Sequence, residues 1–204
     1  MFEETFVHYC SPTLAGLKTA NMFSCQFENE EELRNSVRKL NGILVKKGLR
    51  VLPLRCRDNR ALIYAYRPSW LSRDLRNGGA YSLLKKLGYT EKLPELCLVR
   101  LVKRLDENEE FPHEIGLFLG YPPEDVRGFI ENKAAGYKCV GEWKVYGDAD
   151  KARKTFAKHR KCTEVYRAQF ALGKSIERLT VAERSPAARQ VPRRANDLRR
   201  RTAV

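Results

Sequence analysis

The chain has 204 residues, 43% of them hydrophobic and 31% charged, with a formal net charge of +14. That length and apolar content suffice for a buried core without staples, so one domain plus a tail or two small domains are expected. No run approaches 18 apolar residues and the start, MFEETF, is acidic, so neither a transmembrane helix nor a secretory signal is expected, and the chain reads as cytoplasmic.

Residues 2–9 suit either a short helix or a strand, broken by Ser11-Pro12-Thr13. Ala20 to Phe27 reads as a strand. Glu28 to Lys47 is the clearest helix, with Leu33, Val37, Leu40 and Leu44 on one face, acidic residues in its first turn and Gly48 as its stop. Val51 to Arg57 and Ala61 to Arg67 read as strands joined by the turn Arg57-Asp58-Asn59-Arg60. The middle is helical: Ser69 to Arg76, Gly79 to Leu87, and Pro94 to Leu105, the last with Leu96, Val99, Leu101, Val102 and Leu105 as a broad apolar side.

Phe111 to Ile130, FPHEIGLFLGYPPEDVRGFI, predicts a helical corner. Pro112 suits a first helical position, Glu114 is favoured there by the helix dipole, Gly120 stops the helix, and Pro122-Pro123-Glu124-Asp125 opens a second. Leu-Gly-Tyr occurs at 87–89 and at 119–121, a shared way of ending a helix. Gly141 to Tyr146 reads as a strand. Asp148 caps a long basic helix to about Leu172 that carries Ala152, Phe156, His159, Cys162, Val165 and Tyr166, and Ser175 to Val181 reads as a last strand or extended segment. The expected fold is α+β: a small mixed sheet, a helical middle third, a single domain over 1–182 and a disordered basic C-terminal tail over 183–204. In that tail seven Arg oppose Glu183 and Asp197, a net of +5.

Three stretches, HYCSPTLAGLKTANMF, FPHEIGLFLGYPPEDVRGFI and EWKVYGDADKARKTFAKHRKC, resemble in sequence and order the bacterial family catalogued as domain of unknown function 3793. The resemblance runs from about His8 to Val181 and stops before the tail. It implies a cytoplasmic protein of anaerobic bacteria and transfers no catalytic residue and no cofactor.

The residues themselves suggest several chemistries. His8, Cys10, Thr13, Lys18 and Asn21 gather around a Pro/Gly-interrupted turn that could aim polar groups at phosphate or carboxylate. Arg67, at the end of a predicted strand just before Pro68, is placed to line a pocket at the sheet edge. Cys10, near Lys18, is a candidate reactive thiol. His113 and Glu114 are candidate acid–base residues, although neighbours on a helix point about 100° apart and do not face each other. Leu117 stands where an HExxH zinc motif needs histidine. The six cysteines, with no CxxC pair, argue for reduced thiols, and His8, Cys10 and His113 are a remote metal or haem set, so no metal ligand is assigned.

Glu114-Ile115-Gly116, Leu119-Gly120, Asp125-Val126 and Ile130 reproduce helix-turn-helix spacing. Pro122, Pro123, Glu124 and Asp125 are nevertheless poor groups to offer a DNA groove. The expectation is a protein that binds or turns over a small anionic ligand. The alternatives are a nucleic-acid-associated or regulatory protein, using the corner or the basic surface and tail, and a redox or metal accessory protein.

Overall fold

The computed structural model describes residues 2–90, 93–107 and 111–183. The expected tail lies, from residue 184 on, outside the described residues.

Helix α1, Phe2–Leu14, runs straight through the expected break at Ser11-Pro12-Thr13. Pro12 sits in the last turn, where its missing N–H forfeits a single intrahelical bond, and Ser11 Oγ bonds back to the Val7 carbonyl. Burial of Phe6, Val7, Cys10 and Leu14 along one stripe outweighs that loss. Strand β1, Ala20–Gln26, follows.

Helix α2, Glu30–Leu44, is capped by Asn29, whose side chain accepts from Glu31 N. Its predicted face is the buried one: Leu33, Val37, Leu40 and Leu44. A 3-10 turn over Val45–Lys47 ends at Gly48 (φ 81°). Strands β2, Arg50–Arg57, and β3, Arg60–Tyr66, form the predicted hairpin, with Asp58 (φ 50°) and Asn59 (φ 56°) in the left-handed conformation a tight two-residue turn requires.

The sheet order is β1-β3-β2 and both pairings are antiparallel, with Ala20 and Arg50 flanking Tyr66 from either side. The expected mixed sheet is thus corrected to an antiparallel one. The reason lies in β3, which takes the centre and returns along both neighbours. Ala61, Ile63 and Ala65 face the core built with α1 and α2, while Tyr64 and Tyr66 face the core under the helical middle third. A strand covered on both faces reads as a continuous apolar run, as RALIYAY does. Pro53 lies on the edge strand β2, beside a register shift, where a missing donor is tolerated.

The middle third comprises α3, Pro68–Leu75, α4, Gly78–Lys86, α5, Pro94–Glu107, α6, Ile115–Phe118, and α7, Pro123–Glu131. On α5 the buried stripe is Cys97, Leu98, Leu101 and Leu105, so Leu96 and Val99, expected on the apolar side, are instead about half exposed, at 48% and 53%. Both Leu-Gly-Tyr copies end a helix through a left-handed glycine, Gly88 (φ 84°) and Gly120 (φ 77°).

Two C-terminal expectations are corrected. Gly141 to Tyr146 is not one strand but the turn and second arm of a ribbon, β4, Cys139–Val140, paired with β5, Lys144–Val145. A Cβ at Gly141 would lie 2.3 Å from the Phe156 ring, so the chain turns here against an aromatic face that only glycine can approach. Ser175 to Val181 is not a strand either: Ser175 caps a short helix α9, Ile176–Leu179, and the chain beyond is tied down by Val181 N to Leu14 O (2.9 Å) and Glu183 N to Lys47 O (3.0 Å). Between ribbon and α9 runs α8, Ala149–Ala171, capped by Asp148 as expected. It buries Ala152, Phe156 and His159 while Val165 stays exposed. Among the described residues no helix is long and apolar enough to cross a membrane.

Candidate functional site

The end of α1, the start of β1, the glycine end of the α6–α7 corner, the ribbon and α8 converge on one carboxylate that the sequence reading did not single out, Glu142. It occupies the ribbon turn next to Gly141. Lys18 Nζ donates to its Oε2 at 2.9 Å, and its Oε1 lies 2.7 Å from His159 Nδ1. Lys18 and His159 are buried, at 7% and 4% exposure. Tyr121 closes the group: its ring lies 5.0 Å from Lys18 Nζ and its hydroxyl donates to the Glu142 carbonyl at 3.3 Å. Burial, and then the adjacent Glu142 charge, push the Tyr121 hydroxyl well above its usual range, so it stays protonated.

Burial alone would raise the Glu142 pKa, but the hydrogen bond from His159 and the charge and hydrogen bond of Lys18 outweigh it and hold the carboxyl at about 2, against 4.5 ordinarily. A folded pKa below the unfolded one stabilises the native state fully above about pH 4.5, and that contribution is lost as the pH falls towards 2. In urea unfolding, the stability gap between the wild-type protein and Glu142→Gln is therefore expected to be widest at neutral pH and to narrow through this acid window. A gap independent of pH would show that the carboxylate charge is not what the pairing uses.

The ribbon that carries Glu142 is docked by Asp125. This carboxylate, 3% exposed, accepts from Tyr146 N and Gly147 N at 2.8 Å through one oxygen and from Trp143 Nε1 at 2.7 Å through the other. Trp143 stacks on Tyr121 (centroids 4.6 Å apart) and meets Phe156 edge-on (4.5 Å). The first turn of α7, which a helix-turn-helix would present to DNA, thus spends its aspartate inside the protein, and Pro123 packs against Gly79.

Two clefts border this group on the side of Lys18 and His159. One, of about 680 Å³, is lined by Lys18, Trp70, Arg73, Asp74, Lys151 and His159, among others, and mixes charges of both signs. The other, of about 860 Å³, is lined by His8, Lys18, Asn21, His159, Arg160 and Arg167, with Glu142 and Glu164 as its acids. Arg160 and Arg167 lie on one side of α8 and have no ion-pair partner among the described residues. His8 Nδ1 is sealed from solvent without a hydrogen-bond partner among the described residues. Asn21 is oriented by Thr13, whose hydroxyl donates to its Oδ1 at 2.7 Å.

Of the predicted ligand residues, His8, Lys18 and Asn21 therefore share a cleft and the others do not. Thr13 is buried behind Asn21. Cys10 is fully buried, and desolvation raises its thiol far above the usual range against the opposing pull of Lys18, which makes it an inert core group rather than a nucleophile. Arg67, expected at a pocket edge, is 1% exposed: it donates to the carbonyls of Thr13 (2.9 Å), Leu14 (3.1 Å) and Val181 (2.7 Å), capping the end of α1 with a cation.

His113 and Glu114 diverge. His113 is exposed and packs edge-on to Phe129 (4.9 Å), lining a crevice of about 240 Å³ that Tyr121, Asp125, Glu142 and Trp143 also line. Glu114 is 3% exposed rather than at an open helix start. It accepts from Tyr89 OH at 3.0 Å and lies 2.7 Å from Arg104 Nε. The helix begins at Ile115, not at Pro112, because this carboxylate is drawn inward.

Cys10 and Cys97 are buried and Cys56 is exposed. Among the described residues no group of three or more His, Cys, Asp or Glu is placed to hold a metal ion.

The missed members of the site had faint signals. His159 falls at i+3 from Phe156 on the stripe read as the apolar side of α8, and a histidine there needs a buried polar partner. Glu142 precedes Trp143 in what reads locally as a strand. Its partner Lys18 is 124 residues away, and no local pattern reports such a pairing. No curated protein and no solved structure matches this chain. The family model described as protein of unknown function DUF3793 matches residues 6–180, taking in both clefts and the Lys18–Glu142–His159 group, and the chain belongs to that family.

Proposed function

We propose that this protein binds a small anionic ligand, carrying phosphate or carboxylate, in the cleft between α1 and α8. The observation that carries this reading is the pair of guanidinium groups, Arg160 and Arg167, that border the cleft with no carboxylate partner among the described residues. Guanidinium groups suit the forked geometry of phosphate and carboxylate, and an oriented Asn21 amide and two histidines stand along the same walls. Lys18 is engaged by Glu142, so the arginines and not the lysine are the anion-binding groups in this reading. Six cysteines with no CxxC pair support a reducing compartment, and hence the cytoplasm, as its place of action.

Calorimetric titration with inorganic phosphate and with small dicarboxylates is the test. The Arg160→Ala, Arg167→Ala double variant is expected to weaken binding at least about tenfold, the loss of about 1.4 kcal/mol or more that two charge-assisted contacts imply, without a change in melting temperature. No heat from any of these anions, together with a salt-sensitive gel shift that survives removal of residues 184–204, would replace this reading with the nucleic-acid one.

A further inference from the structure

Glu142 and His159 make a pairing whose chemistry goes beyond holding an anion. A carboxylate can only accept a hydrogen bond, so in the neutral imidazole the 2.7 Å contact places the hydrogen on His159 Nδ1 and leaves the lone pair on Nε2. In water neutral imidazole favours the opposite arrangement, with the hydrogen on Nε2. Nε2 makes no hydrogen bond with the described residues, and His159 borders both clefts. Glu142 is itself held from its far side by Lys18, so the carboxylate cannot rotate away from the ring without breaking that contact, and the ribbon bearing it is anchored by Asp125. The ring is thus fixed in tautomer and in orientation, which is what a proton-accepting histidine requires.

We infer that the cleft is a proton-transfer site, in which His159 Nε2 takes a proton from a hydroxyl group of a bound phosphorylated or carboxylated molecule and Glu142 is the positioning residue. In that step the ligand O–H bond breaks, an N–H bond forms at Nε2, and the imidazolium so produced is stabilised by the Glu142 carboxylate while the ligand oxygen is left as an oxyanion in the cleft that Arg160 and Arg167 border. The inference rests on the anion-binding reading above, since the hydroxyl reaches Nε2 only when the anion is seated.

Histidine side-chain nitrogen–proton correlation spectra of the full ¹⁵N-labelled chain test it, with His159→Gln assigning the signal among the three histidines. Inorganic phosphate is the probe, because it is both an anion and a hydroxyl donor. The expected spectrum shows His159 with its hydrogen on Nδ1 in the free protein and a phosphate-dependent shift of Nε2 towards its hydrogen-bonded or protonated position. Glu142→Ala is expected to return the ring to the Nε2–H form and abolish that shift, a change that a merely structural tie would not produce. The wild-type spectra decide the matter even if that variant fails to fold. A doubly protonated or Nε2–H ring in the free protein overturns the inference. Phosphate that binds by calorimetry but leaves Nε2 unmoved overturns it while the anion site stands; phosphate that does not bind overturns it too, and no heat from the dicarboxylates as well removes the anion site with it.

Discussion

Replacing Asp125 with alanine is expected to destabilise the protein by about 3 to 5 kcal/mol, because three donors lose at once the carboxylate that accepts from them and unmet buried donors cost about 1 to 3 kcal/mol each. Two of the donors are the backbone N–H groups of Tyr146 and Gly147, which no repacking of side chains can supply, and the third is the indole of Trp143. Partial access of water to the ribbon keeps the sum below three full penalties. Asp125→Asn is expected to cost less. Its remaining oxygen can still meet both backbone groups, but its NH2 then confronts the indole N–H, donor against donor. If that is the origin of the cost, Trp143→Phe should relieve part of it, and the two substitutions should be less than additive in urea unfolding. Equal stability of Asp125→Ala and wild type would show that the ribbon is held by its aromatic contacts alone. Because the ribbon carries Glu142, anion binding and the His159 tautomer are expected to fail in Asp125→Ala before global unfolding does.

Arg67→Ala is the second large effect, expected at about 3 to 4 kcal/mol. The side chain spans from β3 to the end of α1 and to the segment after α9, and its removal leaves the Thr13, Leu14 and Val181 carbonyls without the donor that closes them. It also leaves a cavity beside Trp70, whose ring lies 5.6 Å from the guanidinium. Arg67→Lys keeps the charge at the helix terminus but cannot place a planar fork on carbonyls in different directions, so it is expected to recover less than half of the loss. Hydrogen exchange separates the contributions: amides of the last turn of α1 and of Val181 should lose protection together in Arg67→Ala, while β2 amides remain protected. Unchanged protection at Val181 would mean that its amide bond to Leu14 O suffices to hold the strap.

The contrast between Arg67 and Lys18 shows what kind of information a local reading contains. Both are basic residues, Lys18 in a Pro/Gly-interrupted turn and Arg67 at the end of a strand, and both were candidates to hold an anion. Their fates differ because of groups far along the chain: Arg67 meets Val181, 114 residues on, and Lys18 meets Glu142, 124 residues on. The same holds for His113 and His159. His113, next to a glutamate in a suggestive motif, lines a crevice that reaches Glu142 and Tyr121 but neither Lys18 nor His159, while His159, on a stripe that reads as core, carries the imidazole paired with Glu142.

The buried face of helix α2, helix α8 with its Asp148 cap, the β2–β3 hairpin with its Asp58-Asn59 turn, and both glycine stops were determined by the sequence alone. Each rests on side-chain period and backbone preference within a few residues. The continuation of α1 through Pro12, the folding of the Gly141 segment into a ribbon and the inward turn of Glu114 were decided only by tertiary structure. In these cases packing between distant segments outweighs a local preference worth about 1 to 3 kcal/mol. The site belongs to this second class: its carboxylate, imidazole and ammonium come from three separate stretches, brought within hydrogen-bonding distance by the docking of the ribbon, in which Asp125 takes part.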